Sequence, residues 1–147
     1  MPTISHMLWF DHQAEEAANF YLSVFVNGKI NNVGRGPEGN AFTVDFELFG
    51  EKYIGLNGGP AFKFNEAISI FVSVDGQAEV DKYWGALIAD GGEAGRCGWL
   101  KDKFGLSWQI IPKQLGECLG NADPAIAGHA MGEMMKMTKI IVADLYV

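Results

Sequence analysis

Asp11-His12-Gln13-Ala14-Glu15 returns as Asp75-Gly76-Gln77-Ala78-Glu79, 64 residues further along the chain. Each copy follows a short apolar run, Met7-Leu8-Trp9-Phe10 in the first and Ile68-Ser69-Ile70-Phe71-Val72-Ser73-Val74 in the second. Each leads into a segment with paired aromatics, Phe20-Tyr21 and Tyr83-Trp84. A period of this length is too long for a solenoid unit and too short for two independent domains. It predicts two similar half-domains that pair to bury their apolar faces. The crevice between them is the natural place for a ligand.

The expected organisation is one domain over 1–147, with modules at about 1–60 and 65–112 and a helical tail over 113–147. A chain of 147 residues buries roughly 70% of its unfolded surface and needs no disulfide or metal staple to fold. The net charge of −7, with no cluster of Lys and Arg, opposes nucleic acid or anionic lipid as partner. Cys97 and Cys118 lack a secretory context or metal-type spacing, so reduced thiols and a cytoplasmic setting are expected. The first residues do not read as a signal peptide, and no apolar window is long enough to span a membrane.

Periodicity gives the elements. A strand is expected over 4–10, then a helix over 14–24 with Ala17, Phe20, Tyr21 and Val24 on one side and Asp11 as N-cap. Strands follow over 29–33, 41–48 and 53–56, the second alternating Phe42, Val44, Phe46 and Leu48 with polar residues. The second half repeats the order: strand 68–74, helix 77–89, then strands near 92–96, 98–101 and 106–111. The turns Phe49-Gly50 and Phe104-Gly105 correspond at an offset of 55. A last helix is expected after Asp123-Pro124, since Pro suits a first helical turn. The fold class is therefore α+β, two βαβββ modules forming a cupped mixed sheet, plus the C-terminal helical tail.

Three stretches carry a family resemblance: Asn57-Gly58-Gly59-Pro60 with Phe62-Lys63-Phe64, Cys97-Gly98-Trp99-Leu100-Lys101-Asp102, and Phe104-Gly105-Leu106-Ser107-Trp108-Gln109-Ile110-Ile111-Pro112. With Leu8-Trp9-Phe10-Asp11 and the tail around Met134-Met135-Lys136-Met137, the chain resembles the PhnB-like branch of the vicinal-oxygen-chelate superfamily. That superfamily holds glyoxalases, bleomycin-resistance proteins and dioxygenases. Members of the branch often carry the inherited label 3-demethylubiquinone-9 3-methyltransferase. The resemblance implies paired βαβββ modules, usually a homodimer, with a ligand cleft. It also implies a divalent metal held by four strand residues, two per module, acting as a Lewis acid.

Under that resemblance His6 falls at the first-strand His position, and Gln109 falls where the last strand supplies Glu. The repeat-related residues of His6 are Ile70 or, with a one-residue slip, Ser69; that of Gln109 is Ile54. The expected metal set is thus His6 and Gln109, with Asn57 a third oxygen donor, short of the three ligands or more of a usual site. Trp9, Asn57, Phe64, Trp99 and Trp108 are expected to line an aromatic cleft. Glu66 and Cys97 are the candidates for metal-free chemistry, as general base and as thiolate nucleophile. Lys101-Asp102-Lys103 reads as a solvated hairpin tip.

The sequence does not support methyl transfer. The glycines of Gly34-Arg35-Gly36-Pro37-Glu38-Gly39 lie between two expected strands, and Pro37 lacks an N–H, so this is no dinucleotide-type loop. Two functions stay open. One is a small-molecule-binding protein with a degenerate metal site. The other is a metal-dependent lyase, isomerase or dioxygenase using His6 and Gln109. A divalent metal is the cofactor of the second and absent from the first.

Overall fold

The computed structural model describes all residues from Met1 to Val147. The chain forms two compact units, Met1–Phe64 and Asn65–Val147.

The first unit runs β1 (His6–Phe10), α1 (Ala14–Val24), β2 (Gly28–Arg35), β3 (Ala41–Leu48) and β4 (Glu51–Asn57). Its sheet has the order β1-β4-β3-β2, with β1 parallel to β4 and the other pairs antiparallel. The alternation read in β3 holds for Val44, Phe46 and Leu48, buried against α1, whose Ala14, Ala17, Ala18 and Tyr21 are wholly buried, but not for Phe42 at the strand's start, which is 58% exposed. Gly55 permits that close approach, since a Cβ there would lie 3.1 Å from that of Ala14. The expected loop at 34–40 shrinks to a tight turn, because β2 continues through Arg35 with a bulge after Ile30.

The second unit repeats the plan as β5 (Ile70–Val74), α2 (Gly76–Ile88), β6 (Glu93–Ala94), β7 (Trp99–Lys101) and β8 (Ser107–Pro112). The sheet order is β5-β8-β7-β6, again with the first and last strands parallel. Thus each unit contains a four-stranded mixed sheet with one crossover helix, the βαβββ module twice. The strand registers carry the two sequence offsets faithfully. His6 sits beside Tyr53 and Met7 beside Ile54; Ile70 sits beside Trp108 and Phe71 beside Gln109.

The tail is helical, with two α-helices and a 3-10 turn at Val142–Leu145. α3 (Lys113–Leu119) starts directly after β8, and α4 (Pro124–Met134) follows with the Asp123 side chain accepting from Ala125 N at 2.9 Å. Leu115, Cys118, Ala130, Met137, Ile140 and Leu145 form a core of their own. Gln77 of α2 staples the tail to the module. Its amide donates to Ile140 O at 3.0 Å and accepts from Val142 N at 2.7 Å.

Asp102 corrects the reading of a solvated hairpin tip. It is 2% exposed. Oδ1 accepts from Phe104 N at 2.8 Å and Leu106 N at 3.1 Å, and Oδ2 accepts from the Trp108 indole at 2.9 Å. The carboxylate thereby closes the β7–β8 turn and anchors the largest core side chain of the unit. Replacing it leaves three donors without their acceptor, each such loss costing about 1–3 kcal/mol without full additivity. Asp102→Ala is expected to lose about 3 kcal/mol or more, lowering Tm in thermal denaturation by roughly 6 to 12 °C. A fall of only a degree or two would contradict this role.

Candidate functional site

Each sheet has a face packed on its helix and a face left open, and strand parity assigns every side chain to one of them. In β1, Leu8 and Phe10 are buried toward α1. His6 has the same parity. Its ring lies 5.9 Å from that of buried Tyr53, which in turn stacks on Phe46 at 5.3 Å. His6 therefore belongs to the exposed end of the helix-side row. Burial, and then the nearby Glu51 charge, raise the Tyr53 phenol above its ordinary pKa.

The open face of the first unit carries Met7 and Trp9 of β1, Ile54 and Leu56 of β4, and Thr43, Asp45 and Glu47 of β3. The segment after β4 folds back over it. The Trp9 indole donates to Gly59 O at 2.9 Å, and its ring meets Phe62 edge to face at 4.9 Å. Phe64 meets Phe10 of the helix-side row, also edge to face, at 5.2 Å. Gly58 is required here, since a Cβ would fall 2.4 Å from the Trp9 ring. Trp9 and Phe62 thus meet on the open face, whereas Phe64 and Asn57 contact Phe10 and Ala14 on the helix side.

Asn57 is more than a turn residue. Its Oδ1 accepts from Ala14 N at 2.8 Å, and its Nδ2 donates to Ala41 O at 2.9 Å. Helix α1 is capped by this distant amide rather than by Asp11, which lies outside a helix that starts at Ala14. The second unit repeats the device with a different residue: Gln114 Oε1 accepts from Gly76 N, the first N–H of α2, at 3.1 Å. Asn57→Ala is expected to cost about 1–2 kcal/mol, the range for a lost helix cap, read as a lower denaturant midpoint at unchanged slope. An unchanged midpoint would show that water caps α1 equally well.

In the second unit Trp108 and Ile110 face α2 and are buried. Trp108 stands in the core, with its indole spent on Asp102. The open face carries Gln109, flanked in register by Phe71 and Trp99, and Ser107, flanked by Lys101. Gln109 Nε2 donates to Ser69 Oγ at 3.0 Å. Trp99, Lys101 and Ser107 line a cavity of about 330 Å³ together with Glu66, Glu93 and Arg96. Glu66 forms an ion pair with Lys101. The Lys101 hydrogen bond holds the Glu66 carboxyl below its usual range, and the pairing raises Lys101.

Cys97 adopts φ 56° ahead of Gly98 at φ 86°. This turn is pinned by the tail: Cys97 N donates to Met137 O at 2.9 Å and Gly98 N to Thr138 O at 2.8 Å. Arg96 is fixed alike, donating to Met135 O at 2.9 Å. Sequence reasoning missed Lys101, Arg96 and Ser107 as site residues. The signal available was the alternation Trp99-Leu100-Lys101 against Ser107-Trp108-Gln109, which puts Trp99, Lys101, Ser107 and Gln109 on one face.

A family model described as 3-demethylubiquinone-9 3-methyltransferase matches residues 2–111. The chain belongs to that family. Among solved structures, the family's PhnB protein from Bacillus cereus is 29% identical with a TM-score of 0.69, covering 76% of this chain and 99% of that one. A glyoxalase/bleomycin resistance protein from Albidiferax ferrireducens shares the fold at 15% identity and TM-score 0.51, over 74% of this chain and 97% of that one. So does the fosfomycin resistance protein FosX from Listeria monocytogenes, solved with manganese(II) and a dihydroxypropylphosphonic acid. It is 17% identical with a TM-score of 0.53, over 75% and 91% of the two chains. No curated protein matches the sequence. The family thus sits within the glyoxalase/bleomycin-resistance fold group, as the resemblance implied, and the matched region stops just before α3.

Proposed function

We propose that this family member binds a small organic molecule and does so without a strand-borne metal centre. The observation that carries the reading is the set of positions equivalent to Gln109. The first and last strands of the two modules place Met7 and Ile54 side by side in one, and Phe71 and Gln109 in the other. Of the four, only Gln109 offers an oxygen or nitrogen donor. Met7 brings a thioether, a soft donor unsuited to magnesium, manganese or zinc. No three His, Cys, Asp or Glu side chains gather anywhere to replace them. These residues do not fit a divalent metal, and His6 lies on the helix-side row, a register step away. Apolar side chains stand where a chelating site would need polar ones, and Met7 and Phe71 are 56% and 58% exposed. Such a surface suits a flat, partly apolar ligand.

Metal-free acid–base or nucleophilic chemistry finds little support. An ion-paired Glu66 of lowered pKa is a weakened base, and Cys97 is a turn residue fixed by the tail. Methyl transfer is likewise unsupported, because Gly36 to Asn40 close a β-hairpin, Gly36 N donating to Asn40 O at 2.8 Å. The homodimer implied by the resemblance and the cytoplasmic setting expected from the cysteines are part of this proposal.

Metal analysis and thermal shift test it together. Freshly purified protein is expected to carry well under one metal per chain, and manganese(II) to leave Tm unchanged. Aromatic small molecules are expected to raise Tm through preferential binding to the folded state. Stoichiometric metal that is lost in Gln109→Ala would overturn the metal-free reading. A panel of neutral and charged aromatic compounds that leaves Tm untouched would overturn the binding reading.

A further inference from the structure

The cavity of the second unit contains a buried hydroxyl with nothing to bond to. Ser107 is 1% exposed, and its Oγ has no hydrogen-bond partner. Buried polar groups in native proteins are almost always paired, and this hydroxyl on a cavity-lining residue has its donor free to pair. Across the strand pair from Ser107 stands Lys101, whose ammonium holds Glu66, and Lys101 in turn pairs in register with Glu93. Arg96 is held at the wall by Met135 O, and Trp99 supplies an aromatic wall.

Glu66 is a poor permanent partner for Lys101. It lies outside every strand and helix, and its side chain is 62% exposed. Its carboxylate can be exchanged for another without changing the charge of the site. Both members of the pair favour their charged forms, so Lys101 stays a cation after the exchange. We propose, building on the binding reading above, that this cavity takes a small monocarboxylate with a single flat ring. Its carboxylate displaces Glu66 on Lys101 and accepts from Ser107 Oγ while its ring lies against Trp99. Size agrees: about 330 Å³ is at the low end for small-ligand pockets, roughly 300–1,000 Å³. Charge agrees too. Arg96 and Lys101 balance Glu66 and Glu93, so one negative charge replaces one, whereas a dianion would face Glu93 uncompensated.

Benzoate and its uncharged analogue benzamide are the probes, titrated calorimetrically into the full-length protein, with each variant checked for an unchanged melting transition. Wild type is expected to favour benzoate by about tenfold or more, as charge-assisted hydrogen bonds exceed neutral ones. Glu66→Gln removes the internal competitor and should tighten benzoate several-fold. Ser107→Ala should weaken it, and Lys101→Met should abolish the preference over benzamide. Equal binding of the two probes to wild type, or a preference that survives Lys101→Met, overturns the proposal. If benzoate binds neither wild type nor Glu66→Gln while neutral aromatics still raise Tm, the carboxylate site fails and the binding reading stands. If neutral aromatics also do nothing, both fail.

Discussion

The parallel pairing of first and last strand, β1 with β4 and β5 with β8, decides which side chains each module can present. A crossover helix joins β1 to the rest of its module, and its apolar stripe must be buried on one face of the sheet. Every second residue of each strand is then committed to that helix, and the alternate row is left for chemistry. One residue of register separates His6 from Met7. That single step moves a potential metal ligand out of the open row and puts a thioether in its place. The same parity commits Trp108 to the core and leaves Gln109, Ser107, Trp99 and Lys101 together on the open side.

Much of this was legible in the sequence. The Asp-x-Gln-Ala-Glu repeat and the two offsets gave both modules, and the strand registers reproduce those offsets pair by pair. The bounds of α1 and β3 follow from clean periodicity. What could not be read was the parity of β1. Met7-Leu8-Trp9-Phe10 is apolar throughout, so alternation says nothing about which side faces the helix. Within the expected helical tail, α3 was not resolved as a separate helix because it is short, follows Pro112 directly and contains Gly116, which is a poor helix former. The roles of Asn57 and Asp102 were hidden for another reason. Capping Ala14 from 43 positions away and burying a carboxylate in a turn flanked by lysines are tertiary events with no local signature.

The repeat conserved the scaffold but assigned its residues different work. Gln77 clamps the tail through both atoms of its amide, whereas Gln13 merely precedes α1. Glu79 reaches back to Asp75 N at 2.7 Å, whereas Glu15 pairs with Arg35. The tail beyond the family-matched region anchors the turn before β7. Met135, Met137 and Thr138 fix the Arg96–Gly98 turn through their carbonyls. The Arg96–Gly98 turn, set at the end of a sheet common to the fold, is therefore held by a segment outside the family match.

The central claim is that the open faces of these modules hold a binding surface and no metal centre. Titration with manganese(II), followed by paramagnetic broadening of side-chain amide resonances, tests it most directly. The account predicts that the Gln109 amide signal broadens no more than those of exposed amides such as Asn19 and Asn31. Saturable, selective broadening of Gln109 at one ion per chain would contradict it.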